Sequence, residues 1–191
     1  MREQAKGMPT VHQLEAEIKR LRARRIALRS LGTIASLVVI VSIIVVSMMW
    51  TSVLRITGES MSPTLRSGDI LLAWRNVEIN PGDIAAFYLD EDSMLVKRVI
   101  AGGGDTVEIL EDGRVRVNGY VLKETYVSNG ETGFCDISFP YTVPQGSYFV
   151  LGDNRSQSLD SRSAEFGCVD AAQFDARVFA RLWPLNQIKR F

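Results

Sequence analysis

Asp69-Ile70-Leu71-Leu72-Ala73-Trp74, then Asn80-Pro81-Gly82-Asp83, then Ile84-Ala85-Ala86-Phe87-Tyr88-Leu89 is the stretch that decides the fold. Two short runs of β-branched, aromatic and aliphatic residues flank a strong turn signal, the mark of successive strands. The pattern continues downstream. Val107-Glu108-Ile109-Leu110 and Arg114-Val115-Arg116-Val117 flank Glu111-Asp112-Gly113 as a hairpin, and Asn118-Gly119 turns the chain again into Tyr120-Val121-Leu122. Tyr148-Phe149-Val150-Leu151 and Ala176 to Trp183 follow as further strands. Residues 51–191 therefore read as one mostly β domain, without internal repeat, low-complexity tract or dividing linker.

Upstream, the character changes. Leu31 to Trp50 is twenty residues without a charge. At about 1.5 Å per residue a helix of that length covers roughly 30 Å, the thickness of a hydrocarbon core. The apolar region of a cleavable leader would be only about 7 to 15 residues long, so a permanent anchor is expected. Net charge is zero over the 191 residues, but residues 1–30 carry eight Lys/Arg against three acids, so +5 there and −5 in the remainder. Arg20, Arg22, Arg24, Arg25 and Arg29 precede the span and favour a cytoplasmic N-terminus; Trp50 suits the far interface. The expected layout is a basic cytoplasmic segment at 1–30, a transmembrane helix at 31–50 and an extracytoplasmic β domain at 51–191. Val11, Leu14, Ile18 and Leu21, with Leu28 later, share helical spacing in the first segment, consistent with a solvated helix whose basic residues touch anionic lipid, a short coiled coil or a partner-docking helix.

Any nucleophile in the β domain must find its base without histidine. His12 is the sole histidine and falls on the other side of the span. That topology excludes a Ser-His-Asp triad within one chain and a histidine-rich zinc site. A lysine base is the remaining class, beside a carboxylate. With a reference pKa near 10.4, about one lysine in 2,500 is neutral at pH 7, so burial has to push the amine down. In Leu95-Val96-Lys97-Arg98-Val99-Ile100, a regular strand places Lys97 with Leu95 and Val99 and turns Arg98 to the other face. Pattern alone leaves Lys97 between that role and an ordinary snorkelling lysine. Ser60, beside Met61-Ser62-Pro63, is likewise open between nucleophile and turn residue; Pro63 suits the start of a short helix or turn.

Gly58-Glu59-Ser60-Met61-Ser62-Pro63-Thr64-Leu65, Gly68-Asp69-Ile70, Lys97-Arg98-Val99-Ile100 with Gly104-Asp105, and Gly152-Asp153-Asn154-Arg155 with Ser158, Asp160, Ser161 and Arg162 stand in this order after the span. In that order they resemble the sequence boxes of bacterial type I signal peptidases. Arg181-Leu182-Trp183-Pro184-Leu185 is similar to the family's closing segment. The resemblance implies a membrane-anchored endopeptidase of the bacterial cell membrane that removes signal peptides from exported preproteins after small residues at −3 and −1. It implies Ser60 as nucleophile, Lys97 as general base, Ser158 as the hydroxyl orienting the amine, and Asp160 with Arg162 as a supporting pair. The Ser60 backbone N–H is the expected oxyanion donor. Some relatives place a hydroxyl two residues before the nucleophile, where this chain has Gly58. Asp153, Asn154 and Arg155 are expected mainly as turn and scaffold residues, since such groups hydrogen-bond local backbone. The sequence does not identify the pocket residues beyond apolar candidates such as Met61, Ile84 and Phe87.

No metal or cofactor is expected, and nucleic acid is not an expected partner; preproteins, the lipid bilayer and the export machinery are. Two other readings stay open: a specialised Ser-Lys peptidase for pilin or conjugation substrates, and a catalytically silent anchored β domain binding export or envelope partners. Only ten residues separate Trp50 from Ser60, so the nucleophile lies within roughly 36 Å of the membrane surface. Cys135 and Cys168 fall where disulfides form, and a bridge or two separate buried thiols both fit.

Overall fold

The structure, a computed structural model, describes residues 11–90, 93–127 and 132–191. The basic residues Arg2 and Lys6 lie outside them. The chain divides into two compact units between Met48 and Met49.

The described residues of the first unit belong to a single helix, α1 (Val11–Trp50), 40 residues long without a break, whose last two residues fall in the second unit. At about 1.5 Å per residue it extends ~60 Å, roughly twice a hydrocarbon core. The segment Leu14–Trp50 is long and apolar enough to cross a membrane, with a mean hydropathy of 2.6 in its best window. Ser30, Thr33, Ser36, Ser42 and Ser47 donate their hydroxyls to carbonyls three or four residues back, which hides these polar groups within the helix.

The second unit is β. Its larger sheet is built from β1 (Thr51–Arg55), β2 (Ile70–Arg75), β3 (Ile84–Tyr88), β4 (Met94–Gly102), β9 (Ser147–Leu151), β10 (Val169–Asp170) and β11 (Phe174–Trp183), in the order β1-β2-β11-β3-β4-β9-β10, with β12 (Lys189–Arg190) pairing β11. The smaller has the order β7-β6-β5-β8, formed by β5 (Thr106–Ile109), β6 (Val115–Val117), β7 (Tyr120–Val121) and β8 (Tyr141–Thr142). The pairings given for both sheets are all antiparallel.

Position in the sheet explains the residue pattern. β2 alternates, with Leu71 and Ala73 buried while Leu72 and Trp74 face outward. β3, held between β11 and β4, reads as a continuous apolar run because Ile84, Ala85, Ala86 and Phe87 are all buried. The hairpin expected around Glu111-Asp112-Gly113 joins β5 to β6, and Asn118 and Gly119 supply the two positive φ angles, 51° and 84°, that turn β6 into β7. β1 was not foreseen from sequence. Its Thr, Ser and Arg obscure the alternation, and it follows the helix without a turn signal.

Candidate active site

Ser60 sits in a turn after β1, not in a helix. Ser62 N–H donates to the Glu59 carbonyl at 3.0 Å and Leu65 N–H to Met61 at 2.9 Å. Met61 and Leu65 from this turn are buried in the core with Ile56, Leu71 and Ile84, so hydrophobic burial anchors both sides of the serine. The turn's far end is tied to β11: Arg181 reaches the Thr64 carbonyl at 3.1 Å and Asp69 at 3.0 Å, while Asp69 accepts from Arg66 N–H. The Gly68-Asp69 and Arg181 boxes thus act together, although 112 residues separate Asp69 from Arg181.

Lys97 lies on β4 opposite Ala85 of β3 and is 4% exposed. Its Nζ donates to Ser158 Oγ at 2.8 Å. Burial lowers its pKa to about 8; the Asp160 carboxylate pulls it up and the Arg162 guanidinium pushes it down. These two opposing charges are themselves a buried pair, Arg162 Nε to Asp160 Oδ1 at 2.7 Å and Nη2 to Oδ2 at 2.9 Å. At pH 7 a lysine of pKa near 8 is neutral about one time in ten, against one in 2,500 for an unperturbed one.

The loop after β9 joins these groups. Gly152 N–H donates to Asp160 Oδ2 at 3.0 Å. A Cβ at Gly152 would stand 2.5 Å from both the Ser60 carbonyl oxygen and Ser158 Cβ, so only glycine fits between the Ser60 turn and the residue that holds the Lys97 amine. Asn154 N–H donates to the Ser60 carbonyl at 3.0 Å, and Asn154 Nδ2 to the Glu59 carbonyl at 3.1 Å.

All five site residues expected from sequence, Ser60, Lys97, Ser158, Asp160 and Arg162, belong to this cluster. Asp153, Asn154 and Arg155 sit in the turn and brace it, and each also reaches a group distant in sequence. Asp153 holds Arg98 through two bonds of 2.8 and 2.7 Å, and Asn154 grips the Ser60 turn. Arg155 bonds the Gly152 carbonyl at 3.1 Å and the Glu124 carboxylate at 2.5 Å. Arg98 also lies 3.8 Å from the Tyr126 ring centroid, and Tyr126 donates to Glu124. Glu124 and Tyr126 were missed from sequence.

Beside Ser60 is a small cavity of about 90 Å³ lined by Ile56, Thr57, Gly58, Met61, Met94, Leu95 and Val96, with Arg55 at its margin. Met61 was expected here; Ile84 and Phe87 instead belong to the sheet core. A larger cavity, about 250 Å³, is lined by Asn76, Glu78, Tyr148 and Phe174 among others and includes none of the five residues. The β4 ladder to β9 begins only at Arg98, so Met94 to Lys97 have β3 on one side and no strand on the other among the described residues. That free edge borders the small cavity.

Cys135 is an exposed free thiol, and Cys168 is half-buried and also free. No cluster of His, Cys, Asp and Glu suited to a metal ion occurs among the described residues.

Residues 28–183 match the family described as signal peptidase, peptidase S26. The chain is similar to signal peptidase I of Bacillus licheniformis, 34% identical over 147 residues that cover 71% of this chain and 78% of that one. It is 34% identical to signal peptidase IB of Staphylococcus aureus over 153 residues, covering 70% and 78%. A crystal structure of a signal peptidase I from Enterococcus faecalis aligns with 36% identity over 53% of this chain and 97% of the other, at a TM-score of 0.44.

Proposed function

Because the chain belongs to the signal peptidase family, peptidase S26, we propose that it cuts signal peptides from exported preproteins with a Ser60–Lys97 dyad. The observation that carries this reading is the buried Lys97 amine, held by Ser158 and lowered to a pKa of about 8 beside the turn that bears Ser60. Ser60 Oγ attacks the scissile carbonyl carbon and passes its proton to Lys97 Nζ. The Ser60 N–H meets the developing oxyanion, with its own carbonyl fixed by Asn154. Collapse breaks the C–N bond, and Lys97 returns the proton to the leaving amine. Lys97 then takes a proton from a water that attacks the acyl-serine, and returns it to Ser60 Oγ as the acyl C–O bond breaks, restoring both groups.

The free edge of β4 supports binding of an extended peptide by strand addition, with backbone bonds supplying affinity and alternate side chains reading pockets. A cavity of about 90 Å³ beside Ser60 favours a small residue before the cut, and preference for small residues at −1 and −3 is part of the proposal. α1 would anchor the enzyme in the bacterial cell membrane, its basic N-terminal stretch cytoplasmic and residues 51–191 outside. Val53, Trp74 with Phe179 stacked at 4.5 Å, Trp183, Leu185 and Ile188 give the β unit exposed apolar surface that suits lipid contact. Proximity to emerging preproteins makes the export machinery a further candidate partner.

The test is cleavage of a model preprotein by detergent-solubilised protein, with the cut position read by mass spectrometry and Ser60→Ala and Lys97→Ala run alongside. Cleavage after a small residue, lost by at least about 1,000-fold in each folded variant, is expected. Intact preprotein with folded wild type would point instead to a specialised substrate or a silent scaffold.

A further inference from the structure

The loop from Gly152 to Arg162 contains three buried arginine-acid relationships but supplies only two acids. Asp153 is taken by Arg98, which comes from β4, and Asp160 by Arg162. Arg155, its side chain 2% exposed, needs a third. A buried guanidinium without a counter-charge is strongly unfavourable. The third acid is Glu124, itself 8% exposed, from the irregular segment between β7 and β8, 31 residues upstream.

That segment is fastened at several points. Tyr126 donates to Glu124 at 3.0 Å, and its ring covers Arg98. Further along, Arg162 Nη1 donates to the Thr132 carbonyl, and Asp136 N–H donates to the Arg162 carbonyl at 3.1 Å. Gly133, at φ 67°, packs where any side chain would strike the Arg155 carbonyl. Arg155 is the link inward: its neighbour Asn154 bonds the Ser60 carbonyl, its Nε bonds the Gly152 carbonyl, and Ser158, three residues on, holds Lys97.

Building on the dyad reading above, we infer that Glu124 is a positioning residue for the reaction, acting through Arg155 to hold the 152–158 loop that sets Ser60 against Lys97. Glu124 touches no reacting atom. Its loss frees the Arg155 side chain, and the loop that carries Asn154, Gly152 and Ser158 loosens with it. A displacement of about 1 Å in such an arrangement is enough for a rate loss near 100-fold.

The experiment compares full-length wild type, Glu124→Gln, Arg155→Gln and the double variant in detergent, measuring kcat and KM on a model preprotein and amide hydrogen exchange by mass spectrometry. Glu124→Gln keeps the side-chain shape and removes the charge. Expected is a fall in kcat of about 10- to 100-fold with KM within about twofold. The double variant should be no worse than the poorer single variant, since both remove the same link. Amides of 152–158 should exchange at least about tenfold faster in Glu124→Gln while those of the β5–β6 hairpin keep their wild-type rates. An unchanged kcat, losses that multiply in the double variant, or faster exchange throughout the domain would each overturn the assignment. Wild type that fails to cut a preprotein would count against the functional reading, and the exchange comparison would still judge the hold of Glu124 on the loop.

Discussion

Lys97 and Arg98 are neighbours on β4 and buried to nearly the same degree, 4% and 8% exposed, yet the protein treats them oppositely. Arg98 receives both oxygens of Asp153, the Gly82 carbonyl and the face of Tyr126. Lys97 receives one neutral hydroxyl. The strand pleat makes this possible, because adjacent residues face opposite sides of the sheet. Arg98 is held as a permanent cation even though burial opposes its charge, since Asp153 outweighs that cost and raises its pKa. Lys97 is left where charge is costly, which is what a base needs. A buried cation is structural when its counter-charge is dedicated to it, and a proton acceptor when the nearby charges are occupied with one another.

This contrast can be broken most severely at Asp153. Asp153→Ala strands Arg98 in the interior and should destabilise the β unit by about 3 to 5 kcal/mol, read from the urea midpoint. A loss below 1 kcal/mol would mean that Arg98 is not held by this pair. Lys97→Met tests the opposite sense. With its folded pKa near 8 and its unfolded pKa near 10.4, Lys97 binds its proton more tightly in the unfolded chain, so burial of the charged amine costs stability on the order of 3 kcal/mol below about pH 8. Lys97→Met should therefore be as stable as wild type or more so at pH 7. Wild-type stability relative to the variant should rise between about pH 8 and 10.4 and level off above. A wild type less stable at pH 10 than at pH 7 relative to Lys97→Met would reverse the sign and refute the account. The smallest effect is kinetic: kcat/KM should climb about tenfold from pH 7 to pH 9 as the amine loses its proton, then flatten. A level profile over that range would argue against a lysine base.

Much of the site was legible in the chain because its chemistry is written locally. Ser60 stands in a compact turn motif, Lys97 in an apolar strand, and Ser158, Asp160 and Arg162 within five residues of one another. His12 is the sole histidine and precedes the apolar span, so a histidine base for the β unit was not expected. Glu124 and Tyr126 were not legible, since an acid in an irregular segment has no periodicity, and its partner lies 31 residues away. The pocket shows the same limit. Met61 was readable beside Ser60, but Met94, Leu95 and Val96 line the cavity only because the fold brings the start of β4 beside the residues that follow β1. The strands followed a similar rule: β2, β3 and β11 announce themselves through apolar runs and β7 through the turn before it, whereas β1, β8, β10 and β12 depend on neighbours supplied by the fold.

Gly152 gives the site an unusual manufacturing tolerance. Its Cα fills the gap between the Ser60 carbonyl and the Ser158 side chain, so the Ser60 turn and the side chain that holds the Lys97 amine are registered against one point of backbone. Neither can be moved by a single substitution without carrying the other along. An engineer seeking a different alignment would have to exchange the 152–162 loop as a cassette, together with the segment that supplies Glu124.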